Sequence, residues 1–148
     1  MKTGSIKIIT PQTDQQFEAY FLTRYEVLRK PWGQPKGSER DGQEDTSMHF
    51  MAINEHEEVL GVCRLQFNSP DEAQLRYMGV TGKSQGSGVG RMLLNAAETA
   101  AKAKTAAKMI LQSRETAVGF YERSGYTVKE KSYLMWGEIQ HYLMEKTL

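Results

Sequence analysis

Gln85-Gly86-Ser87-Gly88-Val89-Gly90-Arg91 carries the most informative local pattern in the chain. It follows a predicted strand ending at Val80. It also opens the strongest amphipathic pattern in the chain, in which Met92, Leu93, Ala96, Ala97, Ala100 and Ala101 recur at spacings of three and four. Three alternate glycines leave the backbone bare, and a helix N-terminus adds unpaired N–H donors and the positive end of the helix dipole. A strand, a bare turn and a helix in that order form a cradle for an anion of the pyrophosphate type.

Three strands precede the cradle, at 48–54, 59–67 and 73–80, joined by the short polar turns 55–58 and 68–71. Connections this short imply an antiparallel meander. Before them, Ile6 and Ile8 mark a first strand, and Asp14 is placed to cap a helix carrying Phe17, Phe21, Tyr25 and Leu28 that ends near Pro31. Residues 31–46 hold Pro31, Gly33, Pro35, Gly37 and Gly42 among charges and read as a surface loop. After the cradle helix, expected over 89–104, come a strand at 108–112, a short helix at 115–124 closed by Gly125, and strands at 126–136 and 139–146. The order predicts an α/β (α+β) fold: one mixed, mostly antiparallel sheet of about seven strands with helices on both faces.

At 148 residues the chain suits one domain, taken as 1–148. Hydrophobic residues at 39% and charged residues at 25% are ordinary globular values. A net charge of +1 provides no global basic field, which argues against a bulk nucleic-acid binder. The opening residues lack the continuous apolar run of a secretory signal, and no stretch reads as a membrane span. With Cys63 alone, neither an internal disulfide nor a cysteine-rich metal site forms, so no metal is expected and the cytoplasm is the expected compartment. Cys63, on a strand, reads as a small buried apolar group.

Two familiar nucleotide motifs fail here. Gly82-Lys83-Ser84 suggests a Walker A loop, but that motif requires glycine where Tyr77 stands. The spacing Gly86-x-Gly88-x-Gly90 misses the dinucleotide G-x-G-x-x-G, and three antiparallel strands are the wrong prelude to a dinucleotide fold. What fits is Q/R-x-x-G-x-G/A after a strand, at Gln85, Gly88 and Gly90. This resembles the acetyl-coenzyme A motif of the GCN5-related N-acetyltransferases, the GNAT superfamily. Phe120-Tyr121-Glu122-Arg123-Ser124-Gly125-Tyr126 is similar to that family's F/L-Y-x-x-x-G-F segment, and Arg76-Tyr77-Met78-Gly79-Val80 resembles its fourth strand. Ile139-Gln140-His141-x-x-Met144 and the segment 45–49 resemble the small bacterial ElaA-like branch. The chain departs from the family at Arg114, where many members carry asparagine, so any contact made by that asparagine is not carried over.

The resemblance implies splayed fourth and fifth strands and acetyl-CoA as donor. The diphosphate would lie on the backbone of Gln85, Gly86, Ser87, Gly88, Val89, Gly90 and Arg91, and the pantetheine arm beside Met78, Gly79 and Val80. It assigns the Val80 N–H to the thioester carbonyl as an oxyanion donor, and Tyr121 to cofactor contact and protonation of the departing thiolate. Gly79 is expected to mark a bulge. Lys83 and Arg91 read either as phosphate partners or as solvated cations. For the general base, Glu44, Asp45, His49 and His141 are candidates by residue type, with His141 favoured. By family layout Arg24, Trp32, Glu44 and Asp45 border the acceptor side. The implied activity is transfer of acetyl to a primary amine of a small molecule or peptide in a ternary complex. The competing expectation is a non-catalytic acyl-CoA-binding partner or regulatory module. No nucleic acid or membrane partner is expected, and a homodimer is compatible with the pattern.

Overall fold

The computed structural model describes residues 5–148. The residues read for a secretory signal lie partly outside that range, at 1–4. Chain order is β1 (Lys7–Ile9), α1 (Asp14–Leu28), β2 (Met48–Ile53), β3 (Val59–Phe67), β4 (Glu72–Val80), α2 (Val89–Ala103), β5 (Lys108–Arg114), α3 (Val118–Arg123), β6 (Thr127–Met135) and β7 (Ile139–Thr147). The strands form one seven-stranded mixed sheet in the order β1-β2-β3-β4-β5-β7-β6. β4 and β5 are parallel, as a pair bridged by a crossover helix must be, and α2 is that crossover. The other registered pairs are antiparallel: β1 with β2, β2 with β3, β5 with β7 and β6 with β7.

The residues group into two compact units. The first runs to Leu65 and includes Tyr77–Ala97; the second is Gln66–Arg76 with Glu98–Leu148. In the first, α1 covers β2 and β3 through a core of Tyr20, Phe21, Met51, Ile53 and Val62, flanked by Ile9, Phe17 and Val59. In the second, the β4–β5 register covers Glu72–Leu75 against Lys108–Leu111, and β7 lies between β5 and β6.

Local chemistry shifts several expected boundaries. The cap of α1 is Thr13 rather than Asp14. Its side chain accepts from the Gln16 N–H at 3.0 Å, and Gln16 returns a bond to the Thr13 N–H at 3.3 Å, a reciprocal capping box that frees Asp14 to be the first helical residue. The expected loop 31–46 contains two 3-10 turns, Lys30–Trp32 and Glu44–Thr46. The helix expected at 115–124 divides into a 3-10 turn, Glu115–Ala117, and α3. Gly125, at φ +97°, ends α3 in the left-handed conformation anticipated for it. The buried face of α1 also differs from its apolar stripe, since Arg24 lies inside it at 0% exposure and Tyr25 is half-buried.

Candidate active site

The segment 85–91, expected to cradle an anion, lies wholly in the first unit. Gly86 and Gly88 adopt φ of +82° and +88°, a region costing an L side chain roughly 1–2 kcal/mol. Among the described residues no atom lies within 4 Å of a Cβ built at either position, so conformation rather than crowding requires glycine there. The turn is set by Ser84 N–H to Thr81 O at 2.9 Å, Ser87 N–H to Ser84 O at 3.3 Å, and Thr81 Oγ1 to Ser84 Oγ at 2.9 Å. Gly88 then opens α2, its carbonyl accepting from the Met92 N–H at 3.0 Å. As at any helix start, the amides of Val89, Gly90 and Arg91 have no carbonyl one turn earlier to bond. Of the two side-chain cations read near the cradle, Lys83 forms an exposed pair with Glu58 at 3.6 Å and Arg91 is exposed.

Gly61 on β3 determines how closely the cradle approaches the sheet. A Cβ there would meet Val89 Cγ1 at 2.9 Å, Leu93 Cδ1 at 3.0 Å and the Gly79 carbonyl at 3.1 Å. Hence α2 begins against bare β3 backbone. Gly79 plays a similar part on β4, where a Cβ would lie 3.1 Å from Val27 Cγ1 and 3.2 Å from Leu28 Cγ. The irregularity expected at Gly79 instead occurs two residues earlier, where Tyr77 has φ +56°. A bulky residue in that region costs on the order of 1–3 kcal/mol and persists only where its surroundings impose it. Beyond this kink the Thr81 N–H donates to Leu60 O at 2.9 Å. Successive amides of an extended strand point to opposite edges, so the Val80 N–H is directed away from β3.

Beside the kink is a buried ionic network that the apolar periodicity did not reveal. Arg24 on α1 and Arg64 on β3 are both fully buried. Arg64 holds Asp41 in a two-pronged contact, Nη1 to Oδ1 at 2.7 Å and Nη2 to Oδ2 at 3.0 Å. Glu44 Oε2 accepts from Arg24 Nη1 at 2.9 Å, Arg64 Nη1 at 3.0 Å and the Asp41 N–H at 3.1 Å. Arg24 also donates to the Glu39 carbonyl and the Tyr20 hydroxyl. Burial alone raises the Glu44 carboxyl, but the Arg24 hydrogen bond and charge, the Asp41 amide and Arg64 outweigh it and hold the group below its ordinary value.

His49 belongs to the same network. Its Nε2 is 2.8 Å from the Glu44 carbonyl, which only accepts, so this nitrogen carries the proton and Nδ1 faces the Tyr20 hydroxyl at 2.8 Å. Burial holds the imidazole below its ordinary value, against the opposing hydrogen bond to Glu44. Glu44 and His49, two of the four base candidates, are thus engaged in holding α1, β2 and β3 together, while Asp45 is exposed. A hollow of about 730 Å³ adjoins them, lined by Asp14, Phe17, Glu18, Phe21 and Asp45 among others. Trp32 ends the first 3-10 turn. Burial pushes the Cys63 thiol up to about 12, in keeping with a packing role.

Tyr121 and His141 lie in the second unit. Tyr121 is buried on α3, with its ring edge-on to Phe120 at 5.0 Å and Tyr126 at 5.8 Å. The end of α3 is fixed by a contact set absent from the sequence reading. Glu98 accepts from the Tyr126 hydroxyl at 2.8 Å and from Lys146 at 3.0 Å, and Lys146 also donates to the Ser124 carbonyl at 2.9 Å. His141 on β7 is buried, stacked on Tyr133 at 4.4 Å and placed opposite Arg114 in the β5–β7 register. Its Nδ1 lies 2.9 Å from the Ile139 carbonyl, which puts the proton on Nδ1 and the lone pair on Nε2 of the neutral ring. The structure therefore gathers Met78, Gly79, Val80 and the 85–91 cradle in one unit, and Tyr121 and His141 in the other.

Comparison with known proteins agrees with this layout. The acetyltransferase (GNAT) domain pattern matches residues 13–148. YjcF of Bacillus subtilis strain 168, described as an uncharacterized N-acetyltransferase, is 30% identical over 142 residues, covering 95% of this chain and 99% of YjcF. The structure of Escherichia coli ElaA superposes with a TM-score of 0.82 at 16% identity, covering 95% of this chain and 99% of ElaA. An acyl-CoA N-acyltransferase from Pseudomonas aeruginosa superposes with a TM-score of 0.79 at 21% identity, covering 95% and 97% of the two chains. These two structures share the fold.

Proposed function

The chain belongs to the GNAT acetyltransferase family, and from that premise we propose that it transfers an acetyl group from acetyl-CoA to a primary amine of a small molecule or peptide. The observation that carries this reading is the pair of left-handed glycines, Gly86 and Gly88, before the first turn of α2, which bares several amides to one anion. The acetyl-CoA diphosphate is held there, and its pantetheine arm lies along 78–80.

The amine first gives up a proton to a base, for which His141 Nε2 is the proposed group. The free nitrogen attacks the thioester carbonyl, and the Val80 N–H donates to the oxygen as negative charge develops on it. One preorganised donor of this kind lowers a barrier by about 3 kcal/mol. Collapse breaks the C–S bond, Tyr121 protonates the thiolate, the nitrogen passes its second proton to the tyrosinate so formed, and the neutral amide leaves with coenzyme A. The orientation of the Val80 amide away from β3 supports its assignment. The acidic hollow of the first unit favours an acceptor that arrives as a cation.

The test is thiol release from acetyl-CoA over an amine panel, with calorimetric titration of acetyl-CoA in parallel. Release with at least one amine is expected. Tight acetyl-CoA binding without release for any amine would refute the enzymatic reading. Tyr121→Phe is expected to slow turnover while sparing acetyl-CoA affinity, and wild-type turnover across pH would remove Tyr121 as the acid.

A further inference from the structure

The left-handed Tyr77 is enclosed by cations. The guanidinium carbons of Arg24, Arg64 and Arg29 lie 4.2, 4.9 and 5.5 Å from its ring centroid, and its hydroxyl is 3.5 Å from Asp41 Oδ2. These distances are in the range where a guanidinium is attracted to an aromatic ring. The two nearest cations are themselves fixed: Arg64 by the forked contact to Asp41, and both by the single oxygen Glu44 Oε2. A buried ion network is a poor source of net stability, because desolvation consumes most of the attraction, whereas it defines geometry well. Here the geometry it defines is that of one backbone residue, three positions before Val80.

We propose that Arg24 and Arg64, set by Asp41 and Glu44, are positioning residues that act through the Tyr77 ring to hold the kink of β4 and with it the 78–80 edge. The inference rests on the reading of that edge as the acyl-CoA docking strand. None of the four charged residues lies in 78–80 or 85–91; Arg24 and Arg64 meet β4 at the Tyr77 ring and Asp41 at its hydroxyl. The cations come from α1 and β3, the ring from β4, and the carboxylates from Asp41, between the two 3-10 turns, and Glu44, which opens the second.

The discriminating variant is Tyr77→Gly. Glycine adopts φ +56° without strain, so this change removes the clamped ring while making the kink itself easier. If the ring clamp holds the edge, Tyr77→Gly raises the KM for acetyl-CoA roughly tenfold or more. Amide deuterium exchange across 77–81 then rises, while exchange over 92–103 of α2 stays as in the wild type. Asp41→Asn and Arg64→Lys, which loosen the clamp and keep the ring, are expected to move both quantities in the same direction by less, with the KM for the amine changed under twofold. Wild-type acetyl-CoA KM and wild-type exchange over 77–81 in Tyr77→Gly would overturn the proposal. Exchange measured without acetyl-CoA separates the two readings. Absence of thiol release in the wild type defeats the acetyltransferase proposal, and the exchange difference among the variants still decides whether the clamp exists.

Discussion

Gly61→Ala tests whether the seat of α2 on β3 sets the cradle. The new methyl would sit 2.9 Å from Val89 Cγ1, 3.0 Å from Leu93 Cδ1 and 3.1 Å from the Gly79 carbonyl oxygen, against the roughly 3.5–4.0 Å at which carbon atoms rest. Relief requires displacements of about half an ångström or more on that basis, and no neighbour yields easily. Val89 is β-branched and 1% exposed, Leu93 is 0% exposed, and the third neighbour is backbone. Overpacking of this kind costs about 1–3 kcal/mol, which for a domain of this length lowers Tm by roughly 2–10 °C. The strain also falls on the helix turn whose amides form the cradle. A loss of about 1 kcal/mol in hydrogen bonding to a charged group weakens acetyl-CoA binding roughly fivefold. Thermal unfolding and calorimetric titration read the two effects. Gly42→Ala, where no atom lies within 4 Å of the added carbon, is the control for the loss of glycine flexibility. Wild-type Tm and wild-type acetyl-CoA affinity in Gly61→Ala would refute the argument that β3 backbone seats the cradle.

Alanine at Gly86 or Gly88 introduces no clash, yet forces an L residue to φ near +82° or +88°. Each is expected to cost roughly 1–2 kcal/mol, divided between stability and a rearranged loop with weaker acetyl-CoA binding, as unfolding and titration would register. For His49 the folded-state value is lowered by burial. Its contribution to stability is therefore complete above its unfolded value of about 6.5 and is lost as pH falls through the folded value. Glu44, also lowered, extends the loss into the carboxylate range. Urea midpoints should fall from pH 7.5 to pH 5 and less steeply in His49→Gln, and parallel profiles for the two proteins would exclude the histidine as the cause. Cys63 is fully buried with its thiol pushed up to about 12. Ellman's reagent should find no reactive thiol in the native protein and one after denaturation, and a fast native reaction would contradict that burial.

What the sequence disclosed and what it withheld divide by the range of the interactions involved. The glycine turn into α2 was legible because its determinants are contiguous: a strand ending at Val80, glycines two apart, and an apolar period carried by Met92, Leu93, Ala96 and Ala97. Gly125 was legible for the same reason, being the left-handed stop of the helix just before it. Thr13 was missed in favour of Asp14 by one position, because either side chain suits a cap and only the reciprocal bond from Gln16 chooses between them. Arg24 and Arg64 were invisible as interior residues. Their burial depends on Asp41 and Glu44, which lie 20 to 23 positions away in the chain, and periodicity assigns charges to solvent by default. The part played by Gly61 was not legible, since the carbons that exclude a side chain there belong to a helix that starts 28 residues later, counting from Gly61 to Val89. The kink fell on Tyr77 rather than Gly79 for a related reason. Local preference places a left-handed residue at glycine, but Gly79 is needed bare for the last turn of α1, and Tyr77 is the position where a ring can be held by cations. The left-handed Tyr77 and the two glycines that must stay bare, Gly61 and Gly79, thus lie together beside the segment that ends at Val80, a pattern the proposed binding role of that segment would account for.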